Sequence, residues 1–440
     1  MKVGVISLGC DKNRIDTENM LAYLVDDGFE LTGEPSEADI IIVNTCGFID
    51  SAKTEAIDTI FEMAEYKKEN CKYLVVTGCL SQRYMDELKE EMPEVDVFLG
   101  TTSYHKLPQI LKNLKNKHKG EQICVKNDIN DRYFSSKRVI TTPEHYAYIK
   151  IAEGCSNHCT YCAIPSIRGK FTSRPIEDIV EEASQIVAQN NVQELILVAQ
   201  DVSRYGQDLY GEIRLIDLLE ELSKLNVQWI RLLYLYPELI TDELLDYIAK
   251  NPKICKYLDI PCQHISDIIL KRMNRRVDKK YIYNLIDRIR SRGDWTIRST
   301  FIVGFPTESE DNFEELVEFI KYARLDRCGF FAYSCEEGTP ASRLDGQIDE
   351  KIKQERVEKL YMLQQSIMEE KLQERIGRVV DVIYEGIDYD RQMFYGRSSF
   401  DAPEIDTRIY FTSDELVEIG KIYKVKILSV VDGDSVGELV

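Results

Sequence analysis

The sequence predicts an α/β chain in three parts: an N-terminal doubly wound open sheet, a central partial (β/α)6 barrel, and a small C-terminal antiparallel β-barrel. Three observations predict it. Short β-rich runs alternate with helical patterns over residues 1–115. The alternation resumes with about six strands between Tyr146 and Tyr333. Beyond residue 375 the pattern changes to short β runs separated by Gly and Asp turns.

In the first part, Val3–Leu8, Ile40–Val43 and Tyr73–Thr77 are apolar and short, as strands covered on both faces are. Between them, Asp50–Lys68 places Ala52, Ala56, Ile57, Ile60, Phe61 and Ala64 on one helical face, with Asp50 as N-cap. Residues 116–143, polar and rich in Lys and Asn, read as a linker that carries a short strand of its own. The central part, residues 144–348, has strands at Tyr146–Ile151, Glu194–Val198, Trp229–Leu233, Tyr257–Ile260, Ile297–Val303 and Cys328–Tyr333. Helical patterns at Glu177–Ala188, Asp242–Ala249, Lys280–Arg290 and Asp311–Ala323 separate them. Six units fall short of the eight that close a full barrel. Residues 349–375 form one long charged helix, and 376–440 hold β runs at Val379–Tyr384, Met393–Phe400, Arg408–Phe411 and Ile422–Val431.

The 440 residues are 44% hydrophobic and 30% charged, a folded composition of several domains. The net charge of −20 repels nucleic acid at long range and favours basic partners. The opening VGVISLG is too short and too quickly followed by CDKNR for a signal peptide, and no run reaches the ~20 apolar residues of a membrane span. A cytoplasmic location with reduced thiols is expected, so the twelve cysteines should be free or metal-bound.

Cys155, Cys159 and Cys162 form a CxxxCxxC in the loop leaving the first barrel strand, where β/α barrels build their sites. Buried structural thiols, a zinc site and a closed cluster all compete for this spacing. Zinc would want a fourth nearby ligand, and His158 is awkwardly adjacent to Cys159. A 4Fe–4S cluster on three thiolates, with one iron open, suits it best. Independently, Cys10, Cys46 and Cys79 each follow one apolar run of the N-terminal sheet. Strand ends of an open parallel sheet share one edge, so these three should converge as a second three-thiolate site. Cys71, Cys124, Cys255, Cys262, Cys328 and Cys335 share no spacing and read as small apolar filler.

These six cysteines, with RGKFTSRP (168–175) and FIVGFPTES (301–309), resemble the two-cluster methylthiotransferases among the radical S-adenosylmethionine (SAM) enzymes. The C-terminal barrel is similar to that family's TRAM domain. SLGCDKNRIDTE, RLLYLYP (231–237), LDIPCQH (258–264) and ARLDRCGFFAYSCEEGT (323–339) resemble the RimO branch, which modifies an aspartate of the small-subunit ribosomal protein numbered twelve. Cys262 and Cys335 stand where that branch tends to carry Leu and Pro. The resemblance implies two 4Fe–4S clusters: Cys155, Cys159 and Cys162 hold one that chelates S-adenosylmethionine, and Cys10, Cys46 and Cys79 hold an auxiliary one that carries a methylated sulfur. It implies hydrogen abstraction from the β-carbon of the target aspartate and capture of the methylthio group there. It also implies an electron donor such as flavodoxin or ferredoxin. Tyr161, Gln200, Asp201, Arg231 and Gly304 become candidates for holding S-adenosylmethionine, although a core role for Tyr161 and an internal ion pair for Arg231 stay open. His264 is expected to be structural.

Charge bears on the branch. Residues 376–440 carry seven Lys plus Arg against thirteen Asp plus Glu, a net of −6, which suits a basic ribosomal protein better than RNA. The alternatives are a transfer RNA adenosine methylthiotransferase and, from another class, a non-catalytic iron–sulfur electron carrier or RNA-binding scaffold.

Overall fold

A computed structural model describes residues 1–114, 121–126, 128–131 and 134–440. The chain forms two compact units. The first comprises residues 1–141, 150–182 and 336–339; the second comprises 142–149, 183–335 and 340–440.

The first unit is built on a parallel sheet of β1 (Lys2–Ser7), β2 (Glu30–Thr32), β3 (Ile40–Thr45), β4 (Tyr73–Gly78), β5 (Val97–Leu99) and β6 (Ile123–Val125). Their spatial order is β2-β1-β3-β4-β5-β6. Side chains alternate across the pleat. Ile41, Val43, Leu74 and Val76 pack on one face with Ala56 and Ile60 of helix α2 (Asp50–Glu65) and Leu88 of helix α3 (Cys79–Glu91). Ile40, Ile42 and Val75 pack on the other with Met20 and Leu24 of helix α1 (Asp11–Asp26). The sheet is thus covered on both faces, and its winding reverses between β1 and β3. Asp50 is the first helical residue rather than the N-cap, a position held by Ile49 without a side-chain cap. Phe61 turns outward at 46% exposure, and Met63 is buried in the face instead. The segment 336–339 is tied to this unit through the buried Glu336, which accepts from Arg83 Nη1 at 2.8 Å and Lys53 Nζ at 3.0 Å.

The second sheet comprises β7 (Tyr146–Lys150) and, after a two-residue ribbon of β8 (Ala152–Glu153) with β9 (Thr172–Ser173), β10 (Glu194–Val198), β11 (Trp229–Leu232), β12 (Ile254–Asp259), β13 (Thr296–Val303) and β14 (Arg327–Ala332). The order is sequential, β14-β13-β12-β11-β10-β7, and pairing from β10 to β14 is parallel. A helix of 24 residues, Glu350–Gln373, follows with Asp349 as a side-chain N-cap. The chain then closes a barrel of β15 (Val379–Asp388), β16 (Met393–Ser398), β17 (Ile409–Thr412), β18 (Ile422–Val431) and β19 (Asp434–Leu439), ordered β15-β16-β17-β19-β18. This barrel is not wholly antiparallel, because β17 and β19 pair parallel. Five strands in a closed ring cannot alternate direction throughout, so one parallel neighbour is unavoidable. Among the described residues no helix is long and apolar enough to cross a membrane.

Candidate functional site

Cys10, Cys46 and Cys79 stand beyond β1, β3 and β4, three neighbouring strands. Cys10 is the N-cap residue of α1 and Cys79 is the first residue of α3, so both lie at the positive end of a helix. Glycines let the three loops meet. A Cβ at Gly9 would fall 2.8 Å from Cys46 Cβ, and one at Gly47 would fall 2.7 Å from Leu80 Cα. At Gly78, where φ is +97°, it would fall 2.4 Å from Asn44 Oδ1. The cysteines sense each other. Burial pushes the Cys79 thiol up to about 12; Arg168 opposes that rise, and the neighbouring Cys10 and Cys46 add to it. Burial likewise raises Cys46.

A buried ionic group backs these loops. Arg168 Nη1 donates to Asp16 Oδ2 at 2.6 Å and to Glu153 Oε2 at 3.2 Å. Lys150 Nζ donates to the same two carboxylates. Arg168 Nη2 donates to Asn13 Oδ1 at 2.8 Å and lies 3.4 Å from Cys79 Sγ. Asn13 Nδ2 in turn donates to the carbonyls of Leu8 and Thr45, at 2.9 and 3.1 Å. Sequence reasoning missed Asn13, Asp16, Lys150, Glu153 and Arg168 as site residues. The one available signal was that Arg168 opens the RGKFTSRP stretch.

The second triad lies in the same unit. Cys155 and Cys159 are buried, Cys162 and Tyr161 half-buried. Cys155 N–H donates to Gly169 O at 3.0 Å, and Cys162 N–H donates to Cys159 O at 3.1 Å. Gly154 (φ +77°) is obligatory here, because a Cβ would sit 2.2 Å from Lys170 O. The turn after Cys162 reaches the first triad: Ala163 and Ile167 pack with Cys79 in one apolar cluster.

Among the described residues no group of three or more His, Cys, Asp or Glu closes on a single metal ion. Ligands of one ion converge at about 2.3 Å from it, whereas thiolates of a cluster each take a different iron and stand wider apart. Three thiols from three loops suit the second arrangement. Asn44 Oδ1, Thr77 Oγ1 and Ser81 Oγ, beside the first triad in sequence, are buried without hydrogen-bond partners. They are polar atoms that a bound group can satisfy.

The remaining candidates belong to the second unit. Asp201, just past β10, is buried and accepts from Ser203 Oγ at 2.6 Å and Arg204 Nε at 3.2 Å; Gln200 beside it is half-buried. Of the two roles open to Arg231, the structure shows the internal ion pair. Its Nε donates to Glu194 Oε1 at 2.6 Å, its Nη1 to Ser399 O at 3.1 Å, and its guanidinium lies over the Tyr257 ring. That guanidinium is fully buried, with all of these partners inside the second unit. Gly304 has φ +69°, and the group closest to its missing Cβ is the Lys353 stem, at 2.3 Å. His264 is buried, with Nδ1 accepting from Ser266 N–H at 3.0 Å. Cys71, Cys255 and Cys262 are buried as filler, but Cys124 and Cys335 are exposed and fill nothing.

Three family descriptions match the chain: uncharacterized protein family UPF0004 over residues 2–100, the Radical SAM superfamily over 149–320, and the TRAM domain over 376–440. Solved structures share the fold. TsrM from Kitasatospora setae, a radical S-adenosylmethionine methyltransferase, aligns with a TM-score of 0.56 at 13% identity over 75% of this chain and 72% of that one. The cobalamin-dependent S-adenosylmethionine radical enzyme OxsB gives 0.54 at 15% identity, over 81% of this chain and 56% of that one. Fold and domain order define a radical SAM enzyme. Full-length relatives narrow the class. The ribosomal protein uS12 methylthiotransferase RimO of Clostridium botulinum (strain Eklund 17B / Type B) is 50% identical over 99% of this chain and 97% of its own. RimO of Clostridium tetani (strain Massachusetts / E88) is 48% identical over 99% and 98%. The chain belongs to this RimO family of methylthiotransferases.

Proposed function

We propose that the chain adds a methylthio group to the β-carbon of an aspartate in the small-subunit ribosomal protein uS12, using two 4Fe–4S clusters and S-adenosylmethionine. The observation that carries this reading is the presence of two cysteine triads in one compact unit, with Cys79 of one packed against the turn that follows Cys162 of the other. When bound, such clusters and cofactor supply one-electron cleavage of a carbon–sulfur bond and a methylated sulfur for transfer.

The chain's own residues do the rest. Cys155, Cys159 and Cys162 hold the cluster that takes S-adenosylmethionine; Cys10, Cys46 and Cys79 hold the auxiliary one. Tyr161, Gln200, Asp201 and Gly304 orient the cofactor. Burial of Cys79, Cys155 and Cys159 keeps water from the reactive groups. The β-carbon of an aspartate offers no acidic proton to a general base, so a radical route suits this carbon. The acidic barrel at 376–440 attracts a basic substrate, free or within the ribosomal subunit, ahead of transfer RNA. A flavodoxin or ferredoxin in the cytoplasm serves as electron donor.

The test is anaerobic reconstitution followed by incubation with uS12 and, separately, with transfer RNA. Mass spectrometry should find the methylthio adduct on the protein; an adduct on RNA alone overturns the substrate. Iron should be about eight per chain and fall to about four when Cys155, Cys159 and Cys162 become Ala. Unchanged iron overturns the cluster assignment.

A further inference from the structure

Arg168 makes contacts that ligand binding and substrate recognition leave unexplained. Its side chain is 2% exposed, and two carboxylates, Asp16 and Glu153, surround it together with Lys150. Two cations and two anions balance within this buried group. Ion pairing alone would be complete with Nη1, yet Nη2 points away from the carboxylates, to Asn13 and to Cys79 Sγ.

That second nitrogen reaches all three ligand loops of the first triad. It touches Cys79 directly. Through Asn13 it is one hydrogen bond from the carbonyl of Leu8, two residues before Cys10, and from that of Thr45, next to Cys46. Arg168 itself ends the short helix Ile164–Arg168, which begins two residues after Cys162. No other side chain described above joins the two cysteine segments in this way.

We propose that Arg168 is a positioning residue for the auxiliary cluster: its Nη2–H···Sγ bond fixes Cys79 and raises the reduction potential of the cluster that Cys79 helps to hold. A donor at a ligand sulfur withdraws electron density from it, and a fixed positive charge favours the more negative, reduced form. Burial strengthens both effects. Through Asn13 and Asp16 the same guanidinium locks α1 to the segment bearing the other triad. The inference rests on the reading that Cys10, Cys46 and Cys79 hold a cluster.

The test uses the full chain with C155A, C159A and C162A, so that only the auxiliary cluster is present. After anaerobic reconstitution, dithionite with mediators reduces it by one electron, followed by electron paramagnetic resonance. Adding R168Q should leave about four irons bound. At the parent's midpoint potential the reduced fraction should fall about tenfold relative to oxidised, a midpoint lower by about 59 mV. E153Q, which loosens the ionic group without touching Cys79, should not lower the midpoint. An R168Q midpoint equal to or above the parent's overturns the role of Arg168 while leaving the cluster reading intact. A C155A/C159A/C162A chain without iron overturns both. Should R168Q fail to fold, the R168-intact chain labelled with 15N-arginine decides: a guanidinium 15N coupling to the reduced cluster in pulsed resonance supports the bond, and its absence overturns it.

Discussion

Arg231 Nε lies 2.6 Å from Glu194 Oε1 on the adjacent strand, and neither side chain has any exposed surface. The other oxygen of Glu194 takes Arg397 from strand β16 of the C-terminal barrel. Arg397 Nε then donates to Glu385 at 2.7 Å, and the same Glu385 oxygen lies 3.0 Å from His145 Nε2. One glutamate of the parallel sheet therefore holds the barrel in place through two guanidiniums.

Glu194→Ala leaves those guanidiniums facing each other without their shared carboxylate. Breaking a buried pair of this kind costs about 3–5 kcal/mol. Urea unfolding should show a lower midpoint, and limited proteolysis should release a fragment beginning near residue 376. Retention of the parent's protease pattern would contradict the anchoring role.

Acid should loosen the same joint. Burial by itself would raise the Asp401 carboxyl, but Arg375, Arg327 and the Ser398 hydroxyl outweigh it and hold the group below its ordinary value. Glu385 is also held low: burial opposes ionisation, and His145 and Arg397 overcome it. A carboxyl with a depressed folded pKa contributes its full stability above the unfolded value of about 4 and loses it as pH falls through the lower folded one. Stability followed by circular dichroism in urea should fall steeply below about pH 4, and Asp401→Asn should flatten that slope.

Glu336→Gln should loosen the N-terminal unit. Arg83 and Lys53 would lose a charged acceptor that is only 2% exposed, a loss of about 1.5–3 kcal/mol for hydrogen bonds to a charged group. Arg83 keeps its bonds to the carbonyls of Gly47 and Glu337, so the unit should still fold. Hydrogen exchange should rise in Cys79–Glu91 and in residues 336–339 before it rises elsewhere.

Thiol chemistry should separate the cysteines outside the two triads by their burial. Burial pushes Cys255 up to about 12 and Cys262 up to about 11, whereas Cys124 and Cys335 are exposed. Iodoacetamide at pH 8 should modify Cys124 and Cys335 at least about a hundredfold faster, since the thiolate is the nucleophile. Comparable rates measured by peptide mass spectrometry would refute the burial assigned to Cys255 and Cys262.

The candidate ligands were legible because their signals are local or periodic. Three thiols in eight residues need no fold to be noticed, and Cys10, Cys46 and Cys79 each follow an apolar strand. The strands Glu30–Thr32 and Val97–Leu99 were not legible, since three residues give no periodicity. Asp434–Leu439 carries Asp, Ser and Gly among its six residues and so gives no clear β pattern, yet it closes the barrel. The ionic group behind the first triad was hidden for a different reason. Arg168 meets Asp16 across 152 residues, and Asn13 across 155. Charged residues read singly look like surface, and only the fold reveals which of them face inward together.

Glu336 also imposes an order on biosynthesis. The N-terminal unit takes residues 336–339 as part of itself, although its preceding segment ends at residue 182. At about 5–20 residues per second, a ribosome needs roughly 8–30 s to cover the 157 positions from 182 to 339. All six cysteines of the two triads have left the ribosome before the segment that completes their unit is made. A nascent chain thus has a window in which the six thiols are present and the unit is still open, before Lys53 and Arg83 receive their carboxylate.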